Sequence, residues 1–151
     1  MKRRSLLVLS AVTAAAAVLP AKAAGLPQVE VFKNPDCGCC TAWADHLKAA
    51  GFPVKITAVD DTSVIRKRHG IPENLGSCHT AVVAGYAIEG HVPAADVKRL
   101  LALKPAVAGL SVPGMPVGSP GMEVGTRQDP YQVLLVDKAR RSTVFASYPG
   151  R

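Results

Sequence analysis

Three of the four cysteines fall within four residues, in the run Asn34-Pro35-Asp36-Cys37-Gly38-Cys39-Cys40-Thr41. An alternating apolar stretch precedes this run and a helical pattern follows it. The fourth cysteine stands beside a histidine in Ser77-Cys78-His79-Thr80. Thiolates are redox nucleophiles and soft metal ligands. A chain carrying such a cluster must fold so that the sulfurs are paired, held apart or shared around an ion. Three readings are open: a disulfide staple, a dithiol redox centre and a metal site.

Residues 1–23 read as a secretory leader. Lys2, Arg3 and Arg4 form its charged start, residues 6–19 its apolar run, and Ala21-Lys22-Ala23 a small-x-small cleavage pattern. The apolar run is shorter than the roughly 20 residues a spanning helix needs. The expectation is a cleaved leader, export to the periplasm and no membrane anchor afterwards. The whole chain is formally +7, with 18 basic and 11 acidic residues. Removing Lys2, Arg3, Arg4 and Lys22 leaves fourteen basic residues against 11 acidic ones, a net of +3. That balance is too mild for a nucleic-acid binder. Arg66-Lys67-Arg68, and Lys138 with Arg140 and Arg141, are expected to be solvated faces and a hairpin turn. An exported chain sits in an oxidising compartment, which gives the disulfide readings weight.

Residues 24–151 suffice for one domain around one core. Residues 28–33 alternate and predict a first strand. From Cys39 or Cys40, the apolar Trp43, Leu47 and Ala50 recur at helical spacing until Gly51 stops the helix, with Asp36 expected as its N-cap. Residues 52–59 predict a second strand, and 62–70 a short helix. Residues 80–83 and 86–92 predict two strands joined at Ala84-Gly85, with a helix at 96–103 whose apolar face is Val97, Leu100, Leu101 and Leu103. Residues 106–125 are rich in Gly, Pro and Ser and contain Met115 and Met122. A last hairpin is expected from 131–136 and 143–148. The predicted fold is α/β, βαβαββα with a mixed sheet. Residues 105–151 are expected to be a Gly/Pro/Met-rich loop and a β-hairpin appended to that single domain.

Strand, Cys-x-x-Cys, helix, strand, helix, hairpin, helix is the thioredoxin-like order. Unpaired N–H groups and the macrodipole at a helix start favour thiolate. Cys37 and Cys40 can face one another across the first turn. A Cys39–Cys40 disulfide would close a strained eight-membered ring. One of the first three sulfurs therefore stays free or reaches Cys78. Thioredoxins place a proline before the third strand; here Cys78-His79 stands there, so four sulfurs and an imidazole are expected to converge. Such a soft set suits Cu(I), zinc or an iron–sulfur cluster.

The Cys37-Gly38-Cys39-Cys40 motif, Cys78-His79-Thr80, Gly85-Tyr86 with Glu89-Gly90-His91-Val92-Pro93, and the Gly-Met-Pro-x-Gly-Ser-Pro-Gly-Met stretch ending at Met122 resemble the CopG-type periplasmic copper-resistance proteins. The resemblance spans nearly all of residues 24–151. It implies a thioredoxin-like fold binding Cu(I), as a multinuclear cluster, with Cys37, Cys39, Cys40 and Cys78 as ligands, and a copper redox role. Met115 and Met122 favour Cu(I) over zinc, because thioethers are poor zinc ligands. They are candidate ligands or residues on the access path, against the plain alternative of loop packing. His79 is a candidate ligand or hydrogen-bond partner of a thiolate, and His91 a candidate at the edge of the site. His46 and His69 are expected at the surface and Trp43 in the core. The expected partners are copper ions and other periplasmic copper-handling proteins. The competing readings are a thiol–disulfide oxidoreductase, with Cys37 as nucleophile and Cys40 as resolving thiol, and a staple of two disulfides.

Overall fold

The computed structural model describes residues 25–151, and the expected leader at 1–23 lies outside the described residues. The alternating stretch forms β1 (Val29–Lys33), with Val29 and Val31 fully buried. Asn34 then turns the chain: its Oδ1 accepts from the Asp36 N–H and its carbonyl from the Cys37 N–H. This turn delivers Cys37, not Asp36, as the N-cap of α1 (Gly38–Ala49). The expectation for Asp36 is corrected: the tight turn brings the helix start one residue later, and Asp36 is left exposed. Gly51, at φ +95°, ends the helix by adopting a backbone that side chains disfavour.

The chain continues through β2 (Val54–Ala58), α2 (Ser63–Arg68) and a 3-10 turn at Glu73–Leu75 into β3 (His79–Val83). A two-residue turn at Ala84-Gly85, with φ of 48° and 86°, joins β3 to β4 (Tyr86–Glu89). Two positive φ values are what a tight hairpin of this twist requires. The expected fourth strand ran on to Val92, but pairing stops at Glu89. Gly90 bends away at φ +69°, and a Cβ there would lie 2.5 Å from Ser77 Oγ. Pro93 then opens α3 (Ala94–Leu103). Leu103, expected on the apolar face, is 63 % exposed, because the left-handed Lys104 already turns the chain away from the core.

The sequence pattern predicts an irregular stretch after Pro105, yet Val107–Ser111 forms β5. It pairs parallel with β4 and antiparallel with β6 (Tyr131–Asp137), which pairs with β7 (Ser142–Tyr148). The hairpin is thus attached to the domain by continuing its one mixed sheet, in the order β2-β1-β3-β4-β5-β6-β7, through a strand the sequence pattern does not predict. Gly109 explains why the strand is hard to read. A Cβ there would lie 1.8 Å from the Ala87 carbonyl oxygen, so the close approach of β4 and β5 requires a residue that breaks the apolar alternation.

One row crosses the sheet through the paired residues Val31, Ala81, Ile88, Leu110 and Leu135, buried as far as Leu110 and half-buried at Leu135. Trp43 and Leu47 from α1, with Val97 and Leu100 from α3, pack on this face. Ile71 and Leu75 cover Ala87 and Val136 on the other. Trp43 is in the core as expected, its indole N–H donating to the Val92 carbonyl at 2.8 Å. The end of β1, the starts of β3 and α1 and the end of β4 meet at one end of the sheet. The cysteines lie there.

Candidate metal centre

Cys37 and Cys40 reach one another across the first turn of α1 and are joined by a disulfide, with an S–S distance of 2.04 Å. Cys39 and Cys78 are free thiols. The Cys39 sulfur lies 3.4 Å from that of Cys37 and 3.9 Å from that of Cys78. Cys40 is fully buried, its sulfur 3.7 Å from the Cys78 carbonyl oxygen. All four sulfurs lie within 4.8 Å of one another, so the chain folds its four cysteines into one place.

Two imidazoles flank Cys78. His91 Nε2 is 3.1 Å from its sulfur and His79 Nδ1 is 3.4 Å away. The His91 tautomer follows from its far side. Nδ1 lies 2.8 Å from the Pro120 carbonyl, which can only accept, so Nδ1 carries the proton and the Nε2 lone pair faces Cys78. His79 begins β3, fully buried, with its ring tilted on Trp43 at 4.4 Å between centroids. Its Nε2 has no partner. Burial, then the neighbouring His91, pushes its pKa down to about 3. Burial lowers that of His91 as well. Burial and the adjacent Cys39 push the Cys78 thiol up to about 12. Free Cys78 is thus a thiol among neutral imidazoles, and a bound cation would draw its proton off.

The loop carrying Cys78 is clamped from behind. Glu89, fully buried at the end of β4, accepts from the Ser77 N–H at 2.6 Å, from Arg66 Nε at 2.8 Å and from the Thr80 hydroxyl at 2.6 Å. Arg66 Nη2 donates to the Ser77 carbonyl at 2.8 Å, and Nη1 to Glu73 at 2.6 Å. Both backbone groups of Ser77 are held, which sets the position of Cys78. The expectation that Arg66 belongs to a solvated basic face is corrected: it is buried, because α2 turns it onto the sheet, where Glu89 compensates its charge. Spacing within residues 66–68 carries no sign of this. The readable signal is an acidic residue inside the apolar Tyr86-Ala87-Ile88-Glu89 strand.

The tail closes the other side. Gly121, at φ +84°, packs so tightly on α1 that a Cβ would lie 2.7 Å from Trp43 N and 2.9 Å from the Cys39 carbonyl oxygen. Ser77 Oγ donates to the Gly114 carbonyl. Met115, half exposed at the rim, lines a cleft of about 390 Å³ with Cys78, Ser77, Gly76, Gly114, Glu73 and Arg66. Met122 follows Gly121 in the turn that rests on α1, half-buried. His46 departs from its expected surface position: it is half-buried and its Nε2 accepts from the Ala94 N–H at 3.0 Å, satisfying a donor at the start of α3. His69, half-buried, caps the end of α2, away from the cysteines in the chain.

A family model described as a protein of unknown function, DUF411, matches residues 75–122, the stretch from Cys78 through the tail loop. No curated protein matches the chain. Two solved structures resemble it across nearly their whole length. Both are titled copper resistance protein copG, forms 1 and 2, and both share 46 % identity with the chain. They cover 83 % and 82 % of this chain and 99 % of their own, with TM-scores of 0.79 and 0.78. The chain belongs to the CopG copper-resistance family.

Within this CopG-family chain the donor set fits a soft cation. Four sulfurs lie together, two neutral imidazole nitrogens join one of them, Cys78, and among the described residues no carboxylate joins either group. Hard cations prefer oxygen ligands, whereas thiolate and imidazole suit copper and zinc. Ligation by all four sulfurs requires the Cys37–Cys40 pair in its reduced, thiolate form. Among the described residues, no helix is long and apolar enough to cross a membrane.

Proposed function

We propose that this chain is an exported copper-resistance protein that sequesters Cu(I) on the thiolates of Cys37, Cys39, Cys40 and Cys78. The observation that carries this reading is the convergence of four sulfurs within 4.8 Å beside the lone pair of His91. Thiolates bridge Cu(I) ions readily, so so compact a set of sulfurs supports more than one ion per chain. Met115, beside Cys78 in the open cleft, is suited to hand Cu(I) inward, because a thioether binds it without losing a proton. Met122 and His79 are lesser members of the same environment. Cycling between Cu(I) and Cu(II), and exchange with other copper-handling proteins of the same compartment, belong to this reading.

The fold reading attached to it is thioredoxin-like. The strand order β2-β1-β3-β4, with β1 and β2 parallel and β3 antiparallel to β1, supports it, as does a Cys-x-x-Cys pair at the start of α1. A dithiol oxidoreductase built on Cys37 and Cys40 alone would leave Cys39, Cys78 and His91 without a task. The test is an anaerobic Cu(I) titration of the reduced chain from residue 24, followed by metal counting. At least one copper per chain is expected, with a marked loss in Cys39→Ser and Cys78→Ser. Less than one copper per chain, unaffected by Cys39→Ser, would remove the proposal.

A further inference from the structure

Cys39 is a free thiol placed between a closed disulfide and a second free thiol. Its sulfur is 3.4 Å from Cys37, about the contact distance of two sulfurs, and 3.9 Å from Cys78. Cys37 is half-buried whereas its partner Cys40 is fully buried, so the reachable half of the disulfide is the one Cys39 faces. We propose that Cys39 relays the disulfide within the chain, so that it migrates between the pair Cys37–Cys40 and the pair Cys39–Cys78.

In the first step the Cys39 thiolate forms a bond to Cys37 Sγ, and the Cys37–Cys40 bond breaks. Cys40 departs as a thiolate at the third residue of α1, where unpaired backbone N–H groups stabilise negative charge. In the second step the Cys78 thiol passes its proton to the His91 Nε2 lone pair 3.1 Å away and attacks Cys39 Sγ, and Cys37 departs. Each step makes one S–S bond and breaks one, and the proton of the attacking thiol ends on the departing sulfur. No electrons are gained or lost, so no external oxidant or reductant takes part. The relay alternates which thiols are free: Cys39 and Cys78 beside the imidazoles, or Cys37 and Cys40 at the start of the helix. It operates without metal and so stands apart from the copper reading. It also gives the third cysteine a task that a Cys-x-x-Cys pair does not need.

The test uses metal-free protein carrying one disulfide per chain, its free thiols alkylated with N-ethylmaleimide after incubation and the product digested with trypsin. A Cys37–Cys40 bond stays inside peptide 34–48 and leaves Cys78 alkylated, whereas a Cys39–Cys78 bond joins peptide 34–48 to peptide 69–98. The expected result is a measurable joined fraction in the parent chain, equal at low and high protein concentration and absent from Cys39→Ser. Circular dichroism of Cys39→Ser establishes that it is folded. Complete alkylation of Cys78 in the parent chain, or a joined fraction that persists in Cys39→Ser, overturns the relay.

Discussion

His79 is a neutral imidazole held between Trp43 and His91, with no partner for its inner nitrogen. Its folded-state pKa of about 3 lies below the value near 6.5 of an unfolded chain. Between these values the unfolded state binds more protons, so the stabilisation is complete above about pH 6.5 and is lost as pH falls toward 3. The lowered pKa values of His46 and His91 act in the same direction. Urea unfolding of the metal-free chain is expected to show constant stability from pH 7 to 8. From pH 6.5 to 5 the loss attributable to His79 approaches about 1.4 kcal/mol per pH unit, and His79→Gln reduces that slope. The residue types at this site are plain in the sequence, but their protonation is not. The Pro120 carbonyl that orients His91 is 29 residues away, and spacing has no access to it.

At the scale of elements, the end of β4 and the last turn of α2 act together through Glu89 and Arg66. Glu89→Ala leaves the buried Arg66 with only the exposed Glu73 as a counter-charge, so it is expected to cost about 3 kcal/mol in urea unfolding, and Glu89→Gln less. In Glu89→Ala the Ser77 N–H also loses its acceptor, so Cys78 is expected to react faster with a thiol reagent than in the parent chain. Most elements can be read from local pattern: β1, α1, the β3–β4 turn and the β6–β7 hairpin lie near their expected places. β5 cannot, because Gly109 is dictated by the Ala87 carbonyl of a neighbouring strand. The burial of Arg66 escapes for the same kind of reason, since its compensating charge lies 23 residues ahead.

Across the whole molecule, β5 is the joint that makes the tail part of the same core. Leu110, Val112 and Val133 are fully buried in the cluster that holds Trp43 and Ile88. Burying each such side chain is worth about 1.5–3 kcal/mol, so together they match a large share of the roughly 5–15 kcal/mol that stabilises a domain. A chain ending at residue 104 is therefore expected to lack a cooperative thermal transition and near-ultraviolet circular dichroism, while the full chain shows both. The tail also supplies Pro120 to His91 and Gly121 to α1, so its loss would open the cysteine site as well as the core.

The sequence by itself determines a Cys-x-x-Cys pair between a strand and a helix, with a third sulfur inside it and a fourth sulfur beside a histidine. Periodicity and turn chemistry act over a few residues, and all of these features are local. Only the tertiary structure decides which sulfurs are joined and which wait at contact distance. It likewise decides that His91 aims a lone pair at Cys78, that Arg66 lies inside, and that the tail roofs the site. Each of these outcomes depends on groups brought together from distant parts of the chain, where burial and close packing, not local preference, set the geometry.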